Sequence, residues 1–221
     1  MYHKVEEISN DDLTVSLENI NKQFEYLQQK GYRSKFFKEI KVLERRSIII
    51  TFDDGYKNNF IYLPQLLEKY NLKASLFITT KFIEENPSKY EMMTFDEMRS
   101  LDQEYFEIGL HSHAHENFQN SSIDFIENDL KENMKVLEQE LIPFSKVLAY
   151  PYGRYPDKNP TKKDFFSLLQ RLGIEFAARV GNKINYFPTS SPYELCRIDV
   201  KGSDTLLKFK LKLIFGKLKL F

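Results

Sequence analysis

Ile48-Ile49-Ile50-Thr51-Phe52-Asp53-Asp54-Gly55, IIITFDDG, joins a run of β-branched residues to two adjacent carboxylates and a glycine. Residues 47–52 are apolar on both sides, the pattern of a central strand covered on both faces, where β-branched side chains pack well. In an extended chain neighbouring side chains point to opposite faces. Asp53 and Asp54 therefore reach one site only if the backbone turns there, which Gly55 permits. Such a turn places both acids at the rim of a parallel sheet, where α/β proteins tend to bind ligands. Asp-Asp-Gly is also an ordinary loop opening, so its meaning depends on what else reaches that rim.

Working outward, strand and helix patterns alternate. Residues 1–5 read as a first strand, and Val15, Leu17, Ile20, Phe24 and Leu27 recur at helical spacing up to Gly31, giving a helix over 16–30. A helix over 58–70, showing Ile61, Leu66, Leu67 and Tyr70, leads into a strand at 74–78. A short helix over 94–101 with Thr94 as N-cap precedes a strand at 106–110. Ile123, Ile126, Leu130, Met134, Leu137 and Leu141 trace the stripe of a long helix. Strands at 146–150 and 175–179 flank a helix over 162–172 that Gly173 stops. Such repeats imply parallel pairing with right-handed crossovers, in an open α/β sheet or a barrel. The lack of a glycine-rich dinucleotide turn favours the barrel.

At 221 residues and 42% hydrophobic, the chain fits one domain, 1–221, with a single core. Lys plus Arg and Asp plus Glu both total 32 and are mixed along the chain, which leaves no basic field for a nucleic-acid partner. Cys196 is the only cysteine, so there is neither a disulfide framework nor a cysteine-based metal cluster. No 18-residue apolar run occurs, and no long apolar segment follows a basic start. The expected address is cytoplasmic or peripheral to an inner membrane face. Residues 206–221, LLKFKLKLIFGKLKLF, form a basic and apolar tail. Its alternation over 208–213 suits a strand, its composition suits peripheral membrane contact, and a final strand or helix packed on the domain is the simplest expectation.

Three of the four histidines, His111, His113 and His115, follow the strand that ends at Leu110. His111 and His115 converge in extended or helical geometry. Two imidazoles and one carboxylate form a familiar zinc ligand set with a fourth position left for water, and Co2+, Ni2+, Mn2+ or Fe2+ also suit nitrogen and oxygen donors. A surface cluster or a proton switch is the competing reading of the histidines alone. Because both clusters lie at strand ends, coincidence is the weaker account. Ala149-Tyr150-Pro151-Tyr152-Gly153 follows another strand, its rings forming a wall suited to a sugar face.

Together TFDDG (51–55), HSHAH (111–115) and AYPYG (149–153) resemble the ordered motifs of the polysaccharide deacetylases of the NodB-homology type, carbohydrate esterase family four. Their style is similar to that of the poly-N-acetylglucosamine deacetylases. The likeness spans roughly residues 1–200. It implies a distorted (β/α) barrel, often seven-stranded, and metal-dependent removal of N- or O-acetyl groups from a carbohydrate such as a bacterial surface glycan or its precursor. It also implies metal ligands at Asp54, His111 and His115, a general base at Asp53, and substrate contacts at Tyr150, Pro151, Tyr152 and Gly153, with the backbone N–H of Tyr152 helping to hold the oxyanion. His113 is then not a ligand but a supporting residue.

Two departures from the family pattern stand out. No histidine follows His115, where the family often has its general acid. His3 is the one left over, and a water on the metal, Asp53 once protonated, or another carboxyl are the alternatives. Ala149 stands where many members carry an arginine. Arg197, in Leu195-Cys196-Arg197-Ile198-Asp199-Val200, is the candidate to pair with Asp53 or bind substrate, with Arg179 in reserve. A catalytically impaired carbohydrate-binding protein and a hydrolase of a non-sugar amide are the competing functions. The sequence leaves oligomeric state open.

Overall fold

The run at 47–52 divides at Ile49, and its second part continues through both aspartates. In the computed structural model, which describes residues 1–40, 45–86 and 91–216, the strands are β1 (Lys4–Glu6), β2 (Thr14–Ser16), β3 (Arg33–Ser34), β4 (Ser47–Ile48), β5 (Ile50–Asp54), β6 (Ala74–Ile78), β7 (Phe106–Leu110), β8 (Val147–Ala149), β9 (Phe176–Val180) and β10 (Leu195–Arg197). The helices are α1 (Leu17–Gln29), α2 (Lys57–Tyr70), α3 (Thr80–Glu85), α4 (Phe95–Arg99), α5 (Ile123–Gln139), α6 (Thr161–Arg171) and α7 (Leu206–Phe215).

Six strands form one parallel sheet in the order β10-β9-β8-β7-β6-β5. Every residue of β5 and β6 is buried, as strands covered on both faces require. The main sheet therefore has six strands, which corrects the seven-strand expectation. The reason lies at the N-terminal segment, where Tyr2 makes only a single parallel bridge to Phe52 before β1 leaves to pair with β2. That segment still spans the gap between the sheet's edges. Tyr2 N–H donates to the Thr51 carbonyl at 2.8 Å and Asp53 N–H to the Tyr2 carbonyl at 3.0 Å, while Val200 N–H donates to the Met1 carbonyl at 3.1 Å. The result is a curled, open sheet flanked by helices, of the distorted-barrel kind.

Two apolar layers hold it. Outside, α1, α2, α5 and α6 press Phe24, Leu67, Leu130 and Phe165 against the sheet, and Tyr2 stacks on Phe52 at 5.0 Å. Inside, Phe37, Phe77, Val147, Ala149 and Ala178 fill the curl. Each large side chain so buried contributes about 1.5–3 kcal/mol. At the N-terminal ends of the strands, the buried Glu107 carboxylate accepts from Phe37 N–H (3.0 Å), Ser75 Oγ (2.8 Å) and Ser145 Oγ (2.8 Å), which closes the end opposite the rim.

Most helix expectations match within a few residues, and Thr94 does cap α4, its hydroxyl accepting from Glu97 N–H. Three details differ. Val15 belongs to β2 rather than α1, Ile61 is exposed, and α5 ends at Gln139, leaving Leu141 exposed with φ 56°. Of the two packed forms expected for the tail, 206–215 takes the helix, capped by Thr205 and seated by Phe209 and by Lys212, which pairs with buried Asp204. Alternation over 208–213 misled because Phe209 and half-buried Leu213, four residues apart, share the packed face. Residues 217–221 lie outside the described residues.

Candidate metal centre

Sheet register decides which residues meet. Asp54 lies opposite Ile78 and Ile78 opposite Leu110, while Leu110 pairs with Leu148. The chain leaving β7 therefore delivers His111 beside the end of β5, with Ala149 one strand away. Asp54 itself takes φ 76°, so the turn begins at the second aspartate and not only at Gly55. Reversal at that point lets neighbouring carboxylates share one site. Ser112 (φ 70°), His115 (φ 57°) and Tyr152 (φ 58°) also have left-handed backbones. Conformations of this kind cost of order 1–3 kcal/mol each and gather at functional sites. Gly55 has φ 91°, and a Cβ there would meet Ile83 and Ile78 side chains at 3.1 and 3.2 Å.

Asp54 Oδ1 lies 3.4 Å from His111 Nε2 and 3.3 Å from His115 Nε2. It is buried and makes no hydrogen bond. His111 Nδ1 sits 2.8 Å from the Ala149 carbonyl, which can only accept, so Nδ1 carries the proton and Nε2 is left for a cation. An ion binding tetrahedrally at about 2.0–2.1 Å separates its ligands by roughly 3.3–3.4 Å, and the two separations above agree. The ligand atoms of all three residues lie within 4.8 Å of one another. These residues fit a divalent cation.

Asp53 faces the same site, its Oδ2 3.9 Å from His111 Nε2. Arg197 grips it with two hydrogen bonds, Nη1 to Oδ1 at 2.6 Å and Nη2 to Oδ2 at 2.7 Å. Burial pushes the Asp53 carboxyl up, but the charge of Arg197, then of His111, and the Arg197 hydrogen bonds outweigh it, holding Asp53 below the usual carboxylate range. Burial likewise opposes ionisation of Asp54, yet the His111 and His115 imidazoles hold it well below that range.

His3 is half-buried, at a place where a charge acts on both aspartates. Among the described residues its ring makes no hydrogen bond or ion pair. His113 points away from the cation position, its Nδ1 3.0 Å from Thr80 Oγ1. Arg179 does not approach Asp53; Arg197 holds that place. Of the expected sugar wall, Tyr152 is 62% exposed with its ring 4.8 Å from that of His115. Tyr150 is fully buried, packed on Tyr155 and Phe165, and donates to the Tyr193 carbonyl at 2.9 Å. Pro151 is buried and Gly153 half-buried.

Sequence reasoning missed the residues that shape the histidine loop. Asp129 accepts from His113 N–H at 3.1 Å and Ala114 N–H at 2.7 Å, and Ser112 Oγ accepts from His115 N–H at 2.7 Å. Asn133 donates to the Ile78 carbonyl (3.2 Å) and Thr80 Oγ1 (3.0 Å). A signal existed: Asp129 and Asn133 stand four apart beside Ile126, Leu130 and Leu137, polar residues inside the apolar face of α5.

A curled parallel α/β sheet with an Asp-His-His cluster and an arginine-clamped aspartate at its C-terminal rim defines a class consistent with metal-dependent carbohydrate deacetylases. Residues 41–176 match the polysaccharide deacetylase family, and the chain belongs to it. It is 26% identical over 187 residues to the poly-beta-1,6-N-acetyl-D-glucosamine N-deacetylase of Staphylococcus epidermidis, covering 78% of this chain and 61% of that one. The Staphylococcus aureus (strain MRSA252) protein of the same name is 27% identical over 187 residues, covering 80% and 59%. The chain thus spans about three fifths of these curated relatives' length. Among solved structures, the Streptococcus pyogenes deacetylase PplD in complex with acetate superposes with a TM-score of 0.82 at 21% identity, covering 99% of this chain and 96% of that one. IcaB from Ammonifex degensii superposes at 0.79 with 19% identity, covering 94% and 92%. These superpositions establish a shared fold.

Proposed function

We propose that the protein is a metal-dependent hydrolase that removes acetyl groups, chiefly N-acetyl, from a carbohydrate such as a bacterial surface glycan or its precursor. The observation that carries this reading is the convergence of Asp54, His111 and His115 beside an Asp53 held ionised by Arg197. Asp54, His111 and His115 would hold the cation, and two imidazole nitrogens with one carboxylate oxygen favour Zn2+. When bound, such an ion lowers the pKa of water towards about 7 and polarises a carbonyl.

The remaining work falls to the chain. Asp53 takes the proton of the attacking water as the new C–O bond forms, and Arg197 fixes the carboxylate for that transfer. Tyr152 N–H donates to the developing oxyanion, a contact worth about 2.7–4 kcal/mol in a comparable setting. Breaking the C–N bond requires a proton on the departing amine. His3 is proposed to supply it, since a charge there acts on both aspartates and its ring has no partner among the described residues. His113 anchors the loop to Thr80, and Tyr152 lies where a sugar ring would pass.

The test is acetate release from acetylated glycans of several lengths with defined metals, with an Asp53→Asn protein as control. Metal-dependent release that collapses in the variant supports the reading; metal binding without release under any condition supports a carbohydrate-binding protein instead.

We also propose peripheral membrane contact through α7, supported by exposed Leu207, Ile214 and Phe215 on a lysine-rich helix. No helix among the described residues is long and apolar enough to cross a membrane. Co-sedimentation with anionic vesicles that is unchanged in a Leu207→Ser, Ile214→Ser, Phe215→Ser protein would reject it.

A further inference from the structure

Arg179 has no role in the site above, and its surroundings are unusual for a structural arginine. Its strand neighbour Ala178 faces the inner apolar cluster, so Arg179 faces the other way. Its guanidinium makes no hydrogen bond or ion pair among the described residues, and its Nε is buried without a partner. The residue is half-buried and its charge acts on Glu194 and Tyr155, so the orphan is the Nε donor, and functional sites are where buried unpaired donors persist.

Arg179 lines a pocket of about 380 Å3 together with Gly153 and Arg154. Arg154 has no carboxylate partner among the described residues; its Nη1 donates only to the Gln119 side-chain oxygen, at 3.2 Å. The third cation, Lys162, is engaged by Glu194 at 2.8 Å, and Glu194 also accepts from the Tyr155 hydroxyl at 2.5 Å. Asp157 is the other carboxylate there, contacted by Gln119 at 3.5 Å. Three cations against two carboxylates leave the pocket one positive charge in excess, and neither guanidinium forms an ion pair there among the described residues.

One turn joins this pocket to the metal centre. Tyr152 lies against His115, and Gly153 lines the pocket, packed so closely on β9 that a Cβ would meet Val180 N at 2.6 Å. A glycan crossing Tyr152 and continuing past Gly153 would enter the pocket that Arg154 and Arg179 line.

We propose that this pocket is an anion subsite, taking the phosphate or carboxylate carried by the sugar next to the one deacetylated. The inference rests on the deacetylase reading and narrows its substrate class to anionic glycans. Guanidinium forks match both anions in shape and charge.

The experiment compares acetate release from three tetrasaccharides containing N-acetylglucosamine: the neutral oligomer, one alternating with glucuronic acid, and the neutral oligomer carrying one 6-phosphate. At low salt the wild type should prefer one or both anionic substrates in kcat/KM by roughly tenfold or more. Arg179→Gln should bring that ratio to about one, Arg154→Gln should lower it, and Arg179→Lys should keep part of it. Arg171→Gln, which removes an equal charge at the other end of α6, where Arg171 pairs with Glu127, should leave it unchanged. The larger of the two preferences identifies the anion. Equal use of neutral and anionic substrates, or a preference that survives Arg179→Gln, would overturn the proposal. If no oligosaccharide releases acetate, the deacetylase reading fails and calorimetric titration with the same tetrasaccharides decides the subsite. Tighter anionic binding by the wild type than by Arg179→Gln upholds it, and equal binding overturns it.

Discussion

Arg197 and Asp53, 144 residues apart in sequence and both buried, meet through two parallel hydrogen bonds of 2.6 and 2.7 Å. Planar pairing of this kind fixes the carboxylate in position as well as in charge. Replacing Arg197 with Met should leave Asp53 buried and unpaired, costing about 3–5 kcal/mol of stability and nearly all activity. Arg197→Lys keeps the charge without the fork, so it should fold but lose about a hundredfold in kcat. Urea unfolding alongside acetate release separates the two effects.

His3 as the acid predicts a leaving-group effect. His3→Gln should slow N-acetyl hydrolysis by about 10²–10⁴-fold while leaving metal content unchanged. An aryl acetate whose phenolate departs without protonation should be nearly unaffected. Equal losses on both substrates would assign the proton to another group.

Asp129 ties down the loop between two proposed ligands without touching the cation. Asp129→Ala frees the His113 and Ala114 N–H groups, and metal affinity should fall by about 10–100-fold. Metal titration followed by competition with a chelator reads this directly.

Asp204 links the last helix to the domain. Burial raises its pKa, but the Lys201 N–H and the Lys208 and Lys212 side chains outweigh that and lower it below the ordinary value. Because the folded value is the lower one, Asp204 stabilises the protein fully above the unfolded pKa of about 3.9. That contribution disappears as pH falls through the folded value. Asp204→Asn should therefore unfold more easily at pH 7 and show a shallower loss of stability between about pH 5 and pH 2, measured as urea midpoints against pH.

Much of this site could be read from the chain because each motif sits at a strand end, and parallel strands in register deliver their ends to one rim. IIITFDDG, HSHAH and AYPYG each announced a strand by its apolar run and a break by its glycine, histidine or proline. Less visible were features that depend on tertiary packing. The left-handed turn at Asp54 is imposed by the shared site and has no local sequence mark beyond Gly55. Tyr150 and Tyr152 look alike in sequence, but the turn between them sends one ring into the core and the other to solvent. Tyr2 reads as part of a first strand, whereas it spans the sheet's gap by a single bridge, and its partner Phe52 is 50 residues away. The tail's pattern leaves strand and helix both open because the contacts that decide for the helix, through Phe209 and Asp204, depend on the rest of the fold.

The central claim, that Asp54 holds the cation while Asp53 moves the proton, is tested most directly by pairing metal content with acetate release in Asp53→Asn and Asp54→Ala proteins. Asp53→Asn should keep about one metal ion per chain and lose activity by about 10²–10⁴-fold, whereas Asp54→Ala should lose both. Loss of metal from Asp53→Asn with retention in Asp54→Ala, or full activity in either variant, would contradict it.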